Sequence, residues 1–348
     1  MRSEVFAFLP KNLKQMNLII PMAGMGKRMR PHTLITPKPL IPVGGKPIVQ
    51  RLVEDIASLC DDPINEIGFI IGEFGDEVEK QLIDIAESLG ARGKIYYQKE
   101  ALGTGHAIYC AEQSLTGPVI VAFADTLFRA DFKIDDSKEG VIWVKQIEDP
   151  SQFGVVKVND DGVITDFIEK PKDFVSDLAI IGIYFFKDGE HLKRELKSLI
   201  DNNVVKGGEY QLTDALENMK QQGVQFQPGE VDHWMDCGNK NATLETNSMI
   251  LEFEKDLDLI DATATVIDST IIEPVFIGAG AQIKNSVIGP HVSVGANTKI
   301  NDSRIIGSIV RSNSIINNAV MQNSLVGSNA QVKLNPSDLS MGDYSTIS

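Results

Sequence analysis

Residues 17–38, NLIIPMAGMGKRMRPHTLITPK, constrain the fold more than any other stretch, because an apolar run passes directly into a glycine-bearing turn and then into cations. Residues 17–20 have the short, uninterrupted apolar character of a buried parallel strand. The turn Met22-Ala23-Gly24-Met25-Gly26 follows at once, and its glycines let backbone N–H groups approach anionic oxygens closely. Ala23, Gly24 and Gly26 are the candidate contacts, and Arg28 and Lys38 bring positive charge to the same oxygens. The pattern Gly24-x-Gly26-x-Arg28, then Thr36-Pro37-Lys38-Pro39, lacks both the Gly-Lys-Ser/Thr ending of a P-loop and the third glycine of a dinucleotide fingerprint. What it predicts is a strand, loop and cation arrangement suited to a triphosphate.

The next 90 residues alternate between the periods of helices and strands. Apolar spacing predicts a helix over 47–59 opened by Pro47, a strand over 67–71, a helix over 76–89 and strands over 94–97 and 119–123. Such βαβ alternation implies an α/β fold, a Rossmann-like mostly parallel sheet with helices on both faces and ligands at the carboxyl ends of its strands. Asp125 stands just beyond one of those ends. From 140 to 186 the pattern changes to shorter β-like runs, 141–144, 154–158, 163–168 and 179–186, suited to a subdomain covering one side of a cleft. Helices over 190–200, 212–221 and 242–254 and a strand over 225–227 complete this region. Beyond 261 small residues, Asn and aliphatics recur at near-hexad spacing. Ser286-Val287-Ile288-Gly289 returns as Arg304-Ile305-Ile306-Gly307 and as Ser324-Leu325-Val326-Gly327, spacings of 18 (306 − 288) and 20 (326 − 306). Three short strands per coil would give that period, which predicts three or four coils of a β-helix. The expected division is an N-terminal extension 1–16 with Met16 as an alternative start, an α/β domain 17–260, a β-helix 261–335 and a polar tail 336–348.

Net charge −15 over 348 residues argues against nucleic acid or an anionic membrane as partner, since both call for a basic face. Cys60, Cys110 and Cys237 form no C-x-x-C pair, so neither a zinc site nor a disulfide framework is indicated, and a reducing cytoplasm is the expected location. Cys237 is read as a packing residue. No segment reaches the ~18 apolar residues of a membrane span.

Several separated motifs, in order, carry a family resemblance over roughly residues 17–260. They are the opening loop, Gln98-Lys99-Glu100-Ala101-Leu102-Gly103-Thr104-Gly105-His106-Ala107, Ala124-Asp125, Glu169-Lys170-Pro171 and Trp234-Met235-Asp236-Cys237-Gly238. Together they resemble the sugar-nucleotide pyrophosphorylases, which join a nucleoside triphosphate to a sugar 1-phosphate. The resemblance implies in-line attack of a sugar phosphate oxygen on the α-phosphorus, with pyrophosphate leaving. It places Arg28 on the β- and γ-phosphates, Lys38 on the α-phosphate, and Asp125 and Asp236 on one Mg²⁺. Gln98, Gly103 and Thr104 fall in its base-reading loop, while Lys170 would hold the sugar phosphate, Glu169 the sugar hydroxyls, and Gly154 would leave room for the ring. The C-terminal repeats resemble the left-handed parallel β-helix of many such transferases, and a homo-oligomer is expected from its open coil ends.

A side-chain amide offers a donor and an acceptor, so Gln98 favours the O4 and N3–H edge of uracil or thymine, hence UTP or dTTP. His106 is read as a loop-packing residue. Apolar Ile180, where relatives acting on N-acetylglucosamine 1-phosphate often carry Asn, leans toward glucose 1-phosphate. Two other readings stand beside this one. In the first, His291 would serve a second, acetyl-transferring head acting on amino sugars; in the second, the chain is a non-catalytic regulatory subunit of the same build.

Overall fold

The computed structural model describes residues 16–131 and 133–335. The extension 1–16, apart from Met16, and the tail 336–348 lie outside the described residues.

The described residues form two compact units. One takes in the described residues up to Lys27, with Thr33–Leu40 and Ile48–Asp236; the other takes in Arg28–His32, Ile41–Pro47 and the described residues from Cys237. The sequence boundary at 260 followed the end of the helix 242–254 and the start of the repeat. The helix Lys240–Phe253 groups with the repeat because Asn247, buried on its face, accepts from Ser293 Oγ at 2.7 Å and from Gly44 N–H at 2.9 Å.

The first unit is built on a nine-stranded sheet. Met16–Pro21 is central, with Ile64–Ile71 and then Arg92–Tyr97 parallel to it on one side and Val119–Ala122 parallel on the other. All six residues of Met16–Pro21 are buried, as expected of a strand covered on both faces. Leu178–Phe186 then pairs antiparallel with Val119–Ala122 and leads to Gly154–Val158 and Ile164–Glu169. Gly140–Gln146 branches from the same strand, and Phe226–Glu230 runs parallel to it. The sheet is thus mixed, parallel where phosphate chemistry was expected and mostly antiparallel beyond, with Phe226–Glu230 the exception. Helices Gly189–Asp201, Leu212–Gln221 and Thr104–Cys110 cover one face through a core that includes Ile108, Leu192, Leu196, Leu216, Met219 and Phe226.

Two local expectations need correction, and one element had no expectation. The helix assigned to 47–59 begins at Ile48, because Pro47 pairs with Pro42 in a small hairpin and only then turns into the helix. Thr104–Cys110 is helical where only a loop was read. Thr126–Arg129 and His233–Asp236 pair as an antiparallel ribbon too short for its alternation to stand out in the sequence.

In the second unit three stacks of parallel strands run through the repeat, one of five strands and two of four, consistent with a left-handed β-helix. Ile283, Ile300 and Ile316 stack in one column, buried to within 1% exposure, as Val294 and Val310 do in another. The repeat length differs from the sequence alignment. Ile288 stacks on Ile305 and Ile305 on Met321, offsets of 17 (305 − 288) and 16 (321 − 305), while Leu325 and Val326 stack on Ile309 and Val310 on another face. The corners recur along one edge, where Asp268, Asn285, Asp302 and Asn318 all take φ near +50°.

Candidate active site

A cavity of about 280 Å³ opens in the first unit at the carboxyl ends of the parallel strands. Four segments line it: the loop after the first strand (Met22, Ala23, Gly24, Gly26), Lys38 with Pro39, the stretch Gln98 to Ala107, and Phe123-Ala124-Asp125. Glu209 closes it from a fifth. Ala23, Gly24, Gly26, Lys38, Gln98, Gly103, Thr104 and Asp125, all singled out in the sequence, therefore meet around one space.

The opening loop is held by its glycine and by Thr33. Gly26 sits at φ +55°, and a Cβ there would lie 3.0 Å from Thr33 Cγ2 and 3.1 Å from Lys38 Cβ. Thr33 Oγ1 donates to the Gly26 carbonyl at 2.8 Å, which folds the Thr33–Leu40 segment back on the loop. That packing carries Lys38 to the cavity. Its Nζ donates to Asp125 Oδ2 at 2.7 Å, with the lysine side chain 12% exposed and the carboxylate 39%. A cation and a carboxylate thus stand in contact at the cavity wall. Arg28 follows two residues after Gly26, exposed in the turn Lys27–Met29, and groups with the second unit.

The other wall begins where Gln98 N–H donates to the Ile71 carbonyl at 2.9 Å, tying the loop to the neighbouring strand. Gly103 takes φ +107° and ψ 176°, a region essentially confined to glycine. A Cβ on it would fall 2.6 Å from the Tyr210 carbonyl oxygen and 2.7 Å from its nitrogen, which backbone cannot yield. The approach is fixed by Tyr210 N–H to Leu102 O and Gly105 N–H to Tyr210 O, both 2.8 Å, and by Leu212 N–H to Thr104 Oγ1 at 3.0 Å. Gly103→Ala should therefore destabilise the protein by about 1–3 kcal/mol, lowering its melting temperature by several degrees, and should weaken nucleotide binding. Calorimetry with and without nucleotide checks both; unchanged melting would mean that the loop does not need this glycine.

Gly154, Glu169 and Lys170 do not line the cavity but meet each other. Glu169 pairs with Gly154 across the ladder, and a Cβ at Gly154 would lie 3.1 Å from Glu169 Oε2 and 3.3 Å from Ile180 Cδ1. Lys170, at φ +42°, turns back so that Nζ is 3.6 Å from Glu169 Oε1. The cluster adjoins the cavity through aromatic rings. Tyr184, its hydroxyl pKa raised by burial and by the Glu169 charge, packs edge-on against Phe123, with ring centres 6.2 Å apart.

Asp236 is also outside the cavity lining. The ribbon sets it opposite Thr126, the residue after Asp125, which brings two carboxylates far apart in sequence to adjacent cross-strand positions. The strand carrying it is braced by Trp234, whose ring meets Phe153 edge-on at 4.8 Å beside Gly154. The donor set suits a hard cation. Mg²⁺ takes one or two carboxylates and completes its shell with water and phosphate oxygens, so it does not need a protein cage of three or more ligands, and no such cage is present among the described residues.

A family model described as nucleotidyl transferase matches residues 18–252. The chain belongs to that family. Among the relatives of this nucleotidyl transferase, a glucose-1-phosphate thymidylyltransferase of Streptomyces antibioticus is 31% identical, covering 95% of this chain and 99% of the relative. The bifunctional protein GlmU of Methanococcus maripaludis is also 31% identical, covering 92% of this chain and 79% of its own length. A solved UDP-glucose pyrophosphorylase with UDP-glucose is similar in fold, at a TM-score of 0.56 and 23% identity over 69% of this chain and 100% of the other.

Sequence reasoning left Phe123 out of the site and gave Glu209, whose segment 208–214 resembles family positions, no role there. Glu209 lines the cavity next to Tyr210, whose backbone packs against Gly103 more than 100 residues away. Cys237 is fully buried, in keeping with a packing residue. His291, at φ +59° on a coil corner, has its Nε2 2.7 Å from Glu252 Oε1. Among the described residues no helix is long and apolar enough to cross a membrane.

Proposed function

We propose that this nucleotidyl transferase moves a nucleotidyl group from UTP or dTTP to a hexose 1-phosphate, with glucose 1-phosphate preferred, and releases pyrophosphate. The observation that carries the reading is the joint placement of Lys38, Asp125, Gln98 and the glycine loop around one cavity. The loop N–H groups and Arg28 hold the β- and γ-phosphates, for which a guanidinium can grip two oxygens at once. Lys38 sits at the α-phosphate and meets the charge that grows there during in-line displacement. Its ion pair with Asp125 keeps the ammonium at the pocket wall before substrate arrives. Asp125 and Asp236 would hold Mg²⁺, which supplies charge neutralisation and a template joining the two phosphates. The Gly154, Glu169 and Lys170 cluster receives the sugar phosphate, with Lys170 on its oxygens and Glu169 accepting from ring hydroxyls. Ile180 against Gly154 leaves an apolar wall with no amide to recognise an N-acetyl group.

The test is pyrophosphate release with UTP, dTTP, CTP, GTP and ATP against the 1-phosphates of glucose, mannose, galactose and N-acetylglucosamine. Turnover is expected with UTP or dTTP and glucose 1-phosphate in the presence of Mg²⁺. No release with any pair would leave the regulatory reading in its place, and consumption of acetyl-CoA would revive the two-headed one.

A further inference from the structure

The base-reading side chain is oriented by a residue to which the reading above gives no part. Gln98 Nε2 lies 3.1 Å from the Gly103 carbonyl oxygen. A carbonyl can only accept, so the amide atom placed there is the nitrogen and not the oxygen. That same nitrogen lies 3.1 Å from His106 Nδ1. With the amide nitrogen donating, Nδ1 must be the lone-pair side of the imidazole and the ring proton must sit on Nε2. Burial, only partly offset by the Glu100 charge, pulls the His106 pKa below the usual imidazole value and keeps the ring in this neutral form.

Both amide hydrogens of Gln98 are thereby engaged inside the protein. Its Oε1 receives no hydrogen bond from any described residue, and the Gly103 N–H has no acceptor among them. Both residues line the cavity. An acceptor and a donor are left beside each other at the base end, in an order set by the amide's orientation.

We propose that His106 is a positioning residue that, by accepting from Gln98, locks the amide with Oε1 toward the base and so selects a ring N–H beside a carbonyl over a ring acceptor beside an amino group. Uracil and thymine carry the first pattern and cytosine and adenine the second. Guanine shares the keto pattern, so this lock separates keto from amino bases and leaves ring size to the cavity walls. Without His106 only the Gly103 carbonyl still holds the NH₂, so one of the two contacts that fix the amide's orientation is lost and the NH₂ turns more easily toward a base acceptor. The inference rests on the nucleotidyl transfer proposed above.

Three variants of the full chain test it, His106→Leu, His106→Ala and His106→Asn, each measured for UTP and CTP binding at equilibrium and for pyrophosphate release. The preference for UTP over CTP should fall by about tenfold or more in the leucine and alanine variants, the scale of one misdirected hydrogen bond, and should fall through KM. Turnover at saturating UTP should stay within about threefold, because the lock acts on binding and not on the reacting phosphorus. Asparagine can present Oδ1 near the place of Nδ1, so it should restore most of the preference. An unchanged UTP to CTP ratio in the leucine and alanine variants overturns the proposal, and so does an equal loss for both nucleotides that asparagine fails to rescue. If the unmodified protein releases no pyrophosphate with any pair, nucleotidyl transfer fails, while the binding ratios of the three variants still decide what His106 does.

Discussion

Pyrophosphate release by Lys38→Ala should fall about 10²- to 10³-fold in kcat, the loss expected when one preorganised charge is removed from a developing transition state. Three features support that role for Lys38. It lines the cavity, its side chain is only 12% exposed, and its partner Asp125 holds the ammonium at 2.7 Å. Its contribution to folding is expected to be small. Asp125 is 39% exposed, so breaking the pair leaves a carboxylate that water can solvate, at a cost of no more than about 1 kcal/mol. The variant should melt within a few degrees of the unmodified protein while losing nearly all turnover. Lys38→Arg should recover only part of it, because a planar guanidinium is wider than the point charge it replaces and would press on the Gly26 loop. Stopped-flow or coupled pyrophosphate assays check the rate, and calorimetry checks the fold; turnover within about threefold of normal would remove Lys38 from the reaction.

Asp125→Asn and Asp236→Asn should each lower turnover about a hundredfold, corresponding to roughly 3 kcal/mol of lost charge stabilisation. Each should also raise the Mg²⁺ concentration needed for half-maximal rate. If both carboxylates hold one ion, as proposed, their effects should not add. The double variant is expected to be little worse than either single one. Independent, multiplying losses in the double variant, or an unchanged Mg²⁺ requirement in both single variants, would mean that the two side chains do not share a cation.

Much of the site was legible because its residues sit in short local patterns. Gly24, Gly26 and Lys38 are within one strand-loop unit whose glycines and cation suit anionic oxygens, and Gln98, Gly103 and Thr104 are within seven consecutive residues that the family resemblance marks. The repeat was legible for the same reason, since each coil advertises its inward aliphatic. Its register was not, because the coils are 17 and then 16 residues long, and sequence similarity between 304–307 and 324–327 paired segments that lie on different faces. The helix Thr104–Cys110 was hidden as well. Its start is a glycine at φ +107°, held by contacts with Glu209 and Tyr210 that lie more than 100 residues away.

By itself the chain determined most of its elements, its glycine-bearing loop and the chemical types gathered around it, because strand periodicity, glycine placement and charge are properties of neighbours in sequence. Tertiary structure alone decided that Asp125 holds Lys38, that Asp236 stands beside Thr126, that Glu169 turns toward Gly154, and that His106 leaves Gln98 with its oxygen free. Those are distances and hydrogen-bond directions between segments tens of residues apart or on opposite sides of a turn. They arise only when the sheet and its loops have packed, since a donor has no fixed acceptor until both are held in place.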